Sequence, residues 1–246
     1  MRRNFRYQIR RWHRYLGLLA GLQFLGWTVG GLYFSWSNID EIHGDFQRRE
    51  VPAMTWSPGW VSPDSVLAKL PAQSHLLDVK VVNVLGNPTY QVKYQPPAAK
   101  EVQYQLADAR TGQLRPMLSR PEAVQVAQAA FLANVPVKRV AYLTAANLTG
   151  QHEYRESPLP AWAVTMDHPS GTTVYVAAAL GTVTKFRNDK WRVFDFLWML
   201  HTMDYQTRDH IGNWLLRAFS IAGVLTVLSG LALYVSSSRL PRRRAR

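Results

Sequence analysis

An uncharged run of 22 residues, Tyr15 to Trp36, reads YLGLLAGLQFLGWTVGGLYFSW. As a helix with a rise of about 1.5 Å per residue, it would be about 33 Å long, enough to cross the hydrocarbon core of a bilayer. A second run of equal length, Trp214 to Val235, carries a single charge, Arg217. Aromatic residues at the ends of both runs are typical of the interface between lipid and water. The sequence therefore predicts two transmembrane helices.

The positive charge of the chain is concentrated at its two ends. The sequence has 29 Lys and Arg against 16 Asp and Glu, a net charge of +13. Eleven arginines lie in the first 14 and last 8 residues, which leaves about +2 between these tails. Because basic clusters beside membrane helices mark the cytoplasmic side, both termini are predicted in the cytoplasm and residues 38–213 outside it. The expected partner of the tails is the lipid bilayer, and charge confined to two short tails argues against nucleic acid.

The first run could instead be a cleaved signal peptide, because a basic segment precedes it. However, it is longer than the usual apolar region of about 7 to 15 residues, and no Ala-x-Ala site follows it. We therefore expect a retained membrane anchor.

The segment between the two apolar runs contains an internal repeat. Each copy starts with a helix that has Ser, Pro and an acidic residue in its first turn, at Ser62 to Leu70 and at Ser119 to Phe131. Strands are predicted at 78–85, 89–94 and 101–106 in the first copy and at 140–144, 161–166 and 172–177 in the second. A glycine turn, at Gly112 and at Gly181, then leads into a fourth extended piece. The predicted fold is an α+β outer domain of two helix-plus-antiparallel-sheet units, flanked by two transmembrane α-helices.

The predicted organisation has seven parts. They are a basic cytoplasmic tail (1–14), a transmembrane helix (15–36), a first unit with its membrane-proximal lead (37–118), a second unit (119–190), an amphipathic segment at the membrane surface (191–212), a transmembrane helix (213–235) and a basic cytoplasmic tail (236–246). The amphipathic segment is predicted from a single helical stripe formed by Phe194, Trp198, His201 and Tyr205.

Several classes of chemistry are excluded by what the sequence lacks. It contains no cysteine, which rules out thiol catalysis, disulfide exchange and cysteine-ligated metal sites. It also contains no His-Glu-x-x-His, Gly-x-Ser-x-Gly, phosphate loop or Gly-x-Gly-x-x-Gly. Hydrolysis and nicotinamide or flavin chemistry therefore have little support. The polar stretch around His152 is predicted to be an exposed loop.

Four segments carry a resemblance to a known family. They are Arg11-Trp12-His13-Arg14-Tyr15-Leu16-Gly17-Leu18, Ile39-Asp40-Glu41-Ile42-His43-Gly44-Asp45, Leu159 to Val164 with Thr173 to Val176, and Phe196 to Tyr205. With a helix that opens Ser-x-x-Glu-Ala, they resemble PepSY domains and the PepSY-associated transmembrane family. That family includes ferric-siderophore reductases with four spans, whereas this chain has two, and Ala177 to Gly181 lacks the Asp and Thr-Gly often found in that turn. The resemblance implies a bacterial inner-membrane protein with a periplasmic or extracellular domain, b-type haem and a role in iron uptake.

Four of the seven histidines lie near the ends of the predicted spans: His13, His43, His201 and His210. Imidazole is a common axial ligand of haem iron. His13, Gly17 and Gly21 follow one another at a spacing of four, so one helical face has a ligand beside a strip without side chains. The same glycine spacing also suits close packing of membrane helices without any cofactor. The resemblance adds weight to haem b, with His13 and His201 as the expected iron ligands.

Arg217 is the only charge within either apolar run, near one helical face with His210. A guanidinium inside the membrane is costly unless it is paired or reaches the interface. A haem propionate, a phospholipid head group or a carboxylate such as Asp204 or Asp209 would pair with it, and simple snorkelling is the alternative. We include Arg217 and His210 among the candidate cofactor-binding residues.

The predicted topology restricts which histidines can share an iron. His13 lies on the cytoplasmic side, whereas His43, His201 and His210 lie on the outer side. A bis-histidine site at His13 therefore requires a second chain across a twofold axis, while His201 could pair with His43, with His210 or with its own copy. With the haem that the family resemblance implies, the hypothesis is a homodimeric four-helix bundle that carries haem b and passes electrons to a ferric siderophore or related complex. The electron donor would be a quinol or another protein. The corresponding enzyme activity would be that of a haem-dependent ferric reductase.

Two alternatives of other classes stay open. PepSY domains also occur as regulatory modules, which implies a non-enzymatic anchored domain that binds or regulates a peptide, a peptidase or an uptake partner. An outer metal site is the other alternative, since imidazole and carboxylate suit iron or zinc. Its candidate ligands would be His43, Asp45, His201, Asp204, Asp209 and His210.

Overall fold

The computed structural model describes residues 2–50, 54–55, 58–99 and 101–237, with the side chains of 2–6 and 236 left out. Most of the C-terminal basic tail predicted at 236–246 lies outside these residues. The chain divides into two compact units, Asn38–Arg192 and the combination of Met1–Ser37 with Val193–Arg246. We call them the outer unit and the helical unit.

Eight strands and six α-helices are present in the described part of the chain. The helices are α1 (Arg2–Trp36), α2 (Ile39–His43), α3 (Asp64–Leu67), α4 (Arg120–Ala130), α5 (Asp189–Thr202) and α6 (Trp214–Ser237), with a short 3-10 helix at Asp45–Gln47. The strands are β1 (His75–Val84), β2 (Asn87–Gln95), β3 (Gln103–Asp108), β4 (Leu114–Arg115), β5 (Val137–Leu143), β6 (Ala161–Met166), β7 (Thr173–Ala177) and β8 (Thr182–Arg187).

The outer unit contains two antiparallel four-stranded sheets, each with its strands in sequential order. The first sheet is β1-β2-β3-β4 and the second is β5-β6-β7-β8. This confirms the predicted α+β class and the two antiparallel sheets, with every strand close to its predicted position. Assignment of the two units to the PepSY type stays a prediction.

Each sheet has a helix on one face, as the repeat predicted. In the first copy, the fully buried Val66 of α3 packs on Tyr90 and Val92 of β2. In the second copy, Ala123 and Ala127 of α4 belong to the same buried cluster as the valines of β6 and β7. Small alanines let α4 approach the sheet closely, so apolar burial fixes each helix on its sheet.

The start of α4 follows directly from its sequence. Ser119 and Glu122 form a capping box, in which the Glu122 carboxylate accepts hydrogen bonds from the Ser119 N–H at 2.8 Å and from its hydroxyl at 2.7 Å. The Ser119 hydroxyl is the main cause that lowers the pKa of Glu122; burial acts in the opposite direction, and Arg115 contributes further lowering.

Replacing Ser119 with alanine should destabilise the outer unit by about 1 kcal/mol at pH 7, because α4 loses its cap. Because folding lowers the pKa of Glu122, the ionised carboxylate stabilises the folded state at pH values above its unfolded-state pKa. This stabilisation is lost as the pH falls through the folded-state pKa. The measurement is urea unfolding of the full chain in detergent at pH 7 and below pH 4. An equal loss of stability at both pH values would contradict the capping-box interpretation.

The two sheets of the outer unit meet at the turn before β8. Gly181 has a φ of +71°, and a β-carbon there would lie 2.9 Å from Val84 Cγ2 and 3.2 Å from Leu106 Cδ1. Beside it, the Gln91 amide donates a hydrogen bond to the Leu180 carbonyl at 2.5 Å. Glycine at this position therefore satisfies both the backbone conformation and the close approach of the sheets.

In the helical unit, α1 packs against α6. A β-carbon at Gly223 would lie 2.8 Å from Phe24 Cζ, and one at Gly230 would lie 3.3 Å from His13 Cε1. The ring of Phe24 and the imidazole of His13 thus occupy spaces that two glycines of α6 leave open. These contacts set the register of the antiparallel pair.

Two helical segments, Tyr7–Trp36 and Trp214–Val235, are long and apolar enough to cross a membrane. Only 11% of the first and 6% of the second apolar window is buried, so these are not core helices of the outer unit. Their surfaces expose large apolar side chains such as Leu18 and Leu22. Helices of this composition and exposure favour a lipid environment.

Candidate functional site

The imidazole of His13 lies between α1 and α6. Its Nδ1 is 2.7 Å from the Ser229 hydroxyl oxygen, which is also 2.7 Å from the Thr226 carbonyl oxygen. The single hydrogen of the Ser229 hydroxyl has both acceptors in reach, so the contact fits either tautomer of His13 and fixes the ring orientation in both. In the tautomer that donates from Nδ1, the lone pair is on Nε2, the form that binds a metal.

Two glycines follow His13 along α1 at a spacing of four, Gly17 and Gly21. A β-carbon on either would meet no atom within 4 Å, so neither glycine is needed for contact with the described part of the chain. The space beside these two positions is open. It fits either a flat macrocycle or the close approach of another helix.

His201 lies in the last turn of α5, within a group of aromatic rings from α1 and α5. Its ring is stacked on Trp198, with centroids 6.1 Å apart and planes inclined by 11°. The rings of Trp27 and Phe34 lie 5.8 and 6.3 Å away, and the His201 side chain is exposed. Because the His201 imidazole is exposed, it has room to bind a further partner.

The C-terminal end of α5 is fixed to α1 by two hydrogen bonds. Gln23 donates to the Leu200 carbonyl at 2.8 Å, and the Trp27 indole donates to the His201 carbonyl at 3.0 Å. The last carbonyls of a helix have no partner within the helix, and unpaired carbonyls in lipid are costly. Gln23 and Trp27 therefore satisfy groups that lipid could not.

The two expected iron ligands are far apart. His201 lies at the level of Trp27 on α1, 14 residues beyond His13, which corresponds to about 21 Å along a helix. One iron cannot bind both imidazoles. The two imidazoles are therefore separated within the helical unit, and haem binding at either one stays a prediction.

The predicted amphipathic segment 191–212 is helical only in its first part. Phe194, Trp198 and His201 share one side of α5, but Tyr205 lies beyond its end at Thr202. The next residues form a loop because the carboxylate of Asp204 accepts hydrogen bonds from backbone N–H groups that would otherwise continue a helix. Its donors are the N–H groups of Gln206, Thr207 and His210 and the hydroxyl of Thr207.

Asp204 is buried and its charge is held by this loop. Burial raises the pKa of the carboxyl, but the four hydrogen bonds outweigh burial and hold the pKa well below its usual value. The ion pair of Arg208 with the buried Asp195 also fastens the loop to α5. Asp204 is therefore fully used within the loop and does not pair with Arg217.

Replacing Asp204 with alanine should speed hydrogen exchange at the amides of Gln206, Thr207 and His210 by about tenfold or more, since hydrogen bonds to a charged acceptor are lost. Because the folded-state pKa is lowered, protection in the wild type is complete above about pH 4 and declines as the pH falls further. Exchange in the middle of α6 is the internal control. Unchanged exchange at the three loop amides would contradict this assignment.

The other candidate residues lie apart from His13. Arg217 is exposed in the first turn of α6, and its guanidinium forms no ion pair with the residues that the structure describes. His210 is exposed in the loop, and a β-carbon on Gly212 would lie 3.4 Å from its Nε2 and 3.9 Å from Arg217 Nη2. His43 ends α2 in the outer unit, where it is exposed.

No cluster of metal-ligating side chains is found in the described ranges 2–50, 54–55, 58–99 and 101–237. In particular, Asp45 pairs with Arg48 at 3.2 Å, and Asp204 serves the loop. The described part of the structure therefore does not bring the candidate ligands of the outer metal site together.

One polar cluster of the outer unit was missed by the sequence patterns. The Glu153 carboxylate accepts from Arg192 Nε at 2.8 Å, from Arg192 Nη2 at 3.0 Å and from the Tyr175 hydroxyl at 2.5 Å. Burial, and secondarily the Glu153 charge, raise the pKa of Tyr175 well above its usual value. Tyr154, next to Glu153, is fully buried and stacks on Tyr175, so this segment is packed on the sheet and is not the exposed loop predicted.

This cluster is structural in its geometry. Arg192 also donates to Asp189 at 2.7 Å and to the Gly171 carbonyl at 2.8 Å, so its donors are committed within the outer unit. Burial lowers the pKa of the neighbouring His152, an effect that Glu153 partly offsets. Arg192 binds the carboxylates of Glu153 and Asp189, and Glu153 also accepts from the protonated Tyr175. These contacts fix the sheet to the start of α5.

Comparisons with known proteins were made at three levels. No family model, no curated protein and no solved structure shows a significant match to the chain. The resemblance to PepSY proteins therefore rests on the sequence segments quoted above.

Proposed function

We propose that the chain is a membrane haem protein of the PepSY-associated transmembrane type, acting in electron transfer to a ferric complex. The observation that carries the proposal is the surroundings of His13. Its Nδ1 is hydrogen-bonded to Ser229, and the two positions that follow it at a spacing of four on α1, Gly17 and Gly21, would leave open space even with a β-carbon. A histidine held at Nδ1, on a helix with space along the same face, suits axial ligation of haem iron through Nε2.

A second copy of the chain would complete the site. The other two histidines of the helical unit are remote from His13: His201 is about 21 Å along α1, and His210 precedes α6, whereas His13 packs beside Gly230 near the other end of that helix. A twofold axis beside the glycine strip would bring two His13 side chains together in a four-helix bundle. We propose the same arrangement for His201, which gives two haem sites per dimer and about one haem per chain.

The residues of the chain have distinct roles in this proposal. Ser229 holds the ring orientation of His13, and Gly230 leaves room for the ring. Trp198 holds the His201 ring by stacking, and Arg217, which has no ion pair with the described residues, would supply a cation for a propionate or a lipid phosphate. When bound, haem supplies reversible one-electron chemistry between the two membrane faces.

The proposed orientation follows from the basic tails. The arginines of residues 1–14 and 236–246 favour a cytoplasmic location of both termini in a bacterial inner membrane. The outer unit would then be periplasmic or extracellular, on the side where ferric complexes arrive.

Electron transfer can be tested in proteoliposomes loaded with the purified protein. We expect a membrane quinol to reduce the protein, with appearance of a haem α-band, and an added ferric hydroxamate siderophore to reoxidise it. One quinol supplies two electrons and releases two protons, and each ferric ion accepts one electron and is trapped as its ferrous ferrozine complex. A protein that binds haem but is neither reduced by quinol nor reoxidised by the ferric complex would overturn the electron-transfer part of the proposal.

A further inference from the structure

A groove lies between α4 and β5 on the surface of the outer unit. It has a volume of about 560 Å³, within the range of ligand sites, but it is open to solvent. Its apolar lining includes Val124 of α4 and Val137 and Val140 of β5. An open groove that runs beside a strand and has an apolar lining suits an extended chain segment better than a compact molecule.

One wall of the groove is an edge strand. Among the described strands β5 pairs only with β6, so the other side of β5 has backbone N–H and C=O groups without a strand partner in that part of the chain. Such an edge accepts an added strand, whose backbone hydrogen bonds give affinity and whose alternate side chains enter neighbouring pockets. The position of α4 beside β5 provides that neighbouring pocket.

The groove is positively charged. Arg120, Lys138 and Arg139 line it, and no acidic residue of the described chain does so. These cations are exposed and form no ion pair with described residues, whereas Arg115 close by is paired with Glu122 at 2.5 Å. The corresponding edge strand of the first sheet, β1, has both Asp78 and Lys80 and thus carries no such excess.

We propose that this groove binds an extended acidic segment of another protein, which adds as a strand to β5. Backbone pairing explains the free edge, alternate apolar side chains fill the groove, and acidic side chains meet the unpaired cations. The proposal is independent of haem, because every residue in it belongs to the outer unit.

Binding can be measured by fluorescence anisotropy on the full chain in detergent at low salt. The probes are fluorescein-labelled octapeptides of alternating Glu and Val and of alternating Lys and Val. We expect saturable binding of the acidic peptide only, weakened at least tenfold in the double variant Arg120→Glu, Lys138→Glu. Both sites are exposed, and Glu at the first turn of α4 also suits the helix dipole, so the variant should fold.

Lys80→Glu is the matched control, because it reverses an exposed cation on the edge strand of the other sheet. It should leave binding unchanged. No saturable binding of the acidic peptide, or equal binding by the double variant, would overturn the proposal.

A second pair of probes tests strand pairing without changing the protein. Acidic octapeptides N-methylated at all Val amides or at all Glu amides keep their charge, but each loses one edge of hydrogen-bond donors. We expect one of the two to lose binding and the other to retain it. Equal binding of both would refute strand addition. A change from dimer to monomer in the double variant, without effect on peptide binding, would instead identify a second copy as the occupant.

Discussion

Replacing His13 with leucine should halve the haem content of the purified dimer, and replacing both His13 and His201 should abolish it. The reason is that His13 has no second imidazole at its level on α1, and the ring neighbours of His201 among the described residues are Trp27, Phe34 and Trp198, so we expect no other histidine to substitute as ligand. The measurement is haem per chain, by pyridine haemochromogen assay, on detergent-purified protein expressed with excess haem supply.

Two further variants serve as controls for this experiment. His75→Leu, an exposed histidine at the start of β1, should leave the haem content unchanged. His210→Leu asks whether His210 completes the His201 site, and we expect no loss because no ring contact joins the two in the described residues. Full haem content in the His13→Leu protein would contradict ligation by His13.

Ser229→Ala provides a finer test of the His13 geometry. The variant keeps the imidazole but removes the hydrogen-bond partner that orients the ring through Nδ1. Loss of such a supporting partner typically weakens metal affinity by about 10 to 100 fold. We therefore expect haem to remain bound at high supply and to dissociate more readily on dilution.

Replacing Gly181 with alanine should destabilise the outer unit by about 2 to 5 kcal/mol. About 1 to 2 kcal/mol comes from the left-handed backbone, which resists a β-carbon. The remainder comes from the clash with Val84 and Leu106, since overpacking of a filled core costs about 1 to 3 kcal/mol. Urea unfolding of the full chain in detergent, followed by tryptophan fluorescence, measures the change.

Gly86 is the matched control for this substitution. Its φ is +84°, but a β-carbon there would meet nothing within 4 Å. Gly86→Ala should therefore show the backbone cost alone, about 1 to 2 kcal/mol. Adding Val84→Ala to Gly181→Ala should make the double variant more stable than the sum of the single effects predicts. Equal losses at Gly181 and Gly86 would show that the two sheets do not press together at this turn.

Local sequence signals were sufficient to predict most of the outer unit. Ser119, Pro121 and Glu122 placed the start of α4, because a cap depends on residues within one turn. Gly112 and Gly181 placed the turns before β4 and β8, since both have positive φ and a residue with a side chain would be strained there. These features depend on a few neighbouring residues. The strands between them have sequences that alternate between apolar and polar residues or are apolar throughout.

The features that the sequence did not predict depend on distant partners. The polar run around Tyr154 reads as a loop, but Tyr154 is buried because it stacks on Tyr175 of β7. The end of α5 at Thr202 is set by the side chain of Asp204, which competes for backbone N–H groups. The neighbouring sequence alone does not distinguish the buried segment around Tyr154 from an exposed loop, or the end of α5 from a helix that continues.

The candidate site also combines a feature that neighbouring residues predict with one that depends on distant partners. The spacing of His13, Gly17 and Gly21 predicted a histidine beside an open strip, since that pattern lies on one helix. The hydrogen bond to Ser229, which orients the ring, joins residues 216 positions apart and depends on the register of α1 against α6. That register follows from Phe24 and His13 fitting against Gly223 and Gly230, which no local pattern encodes.

The most direct measurement is the absorption spectrum of the detergent-purified wild-type protein, oxidised and after reduction with dithionite. We expect a Soret band that shifts on reduction and a narrow α-band of six-coordinate haem b. A protein without either band, at every haem supply tested during expression, would contradict the proposal that His13 and His201 bind haem.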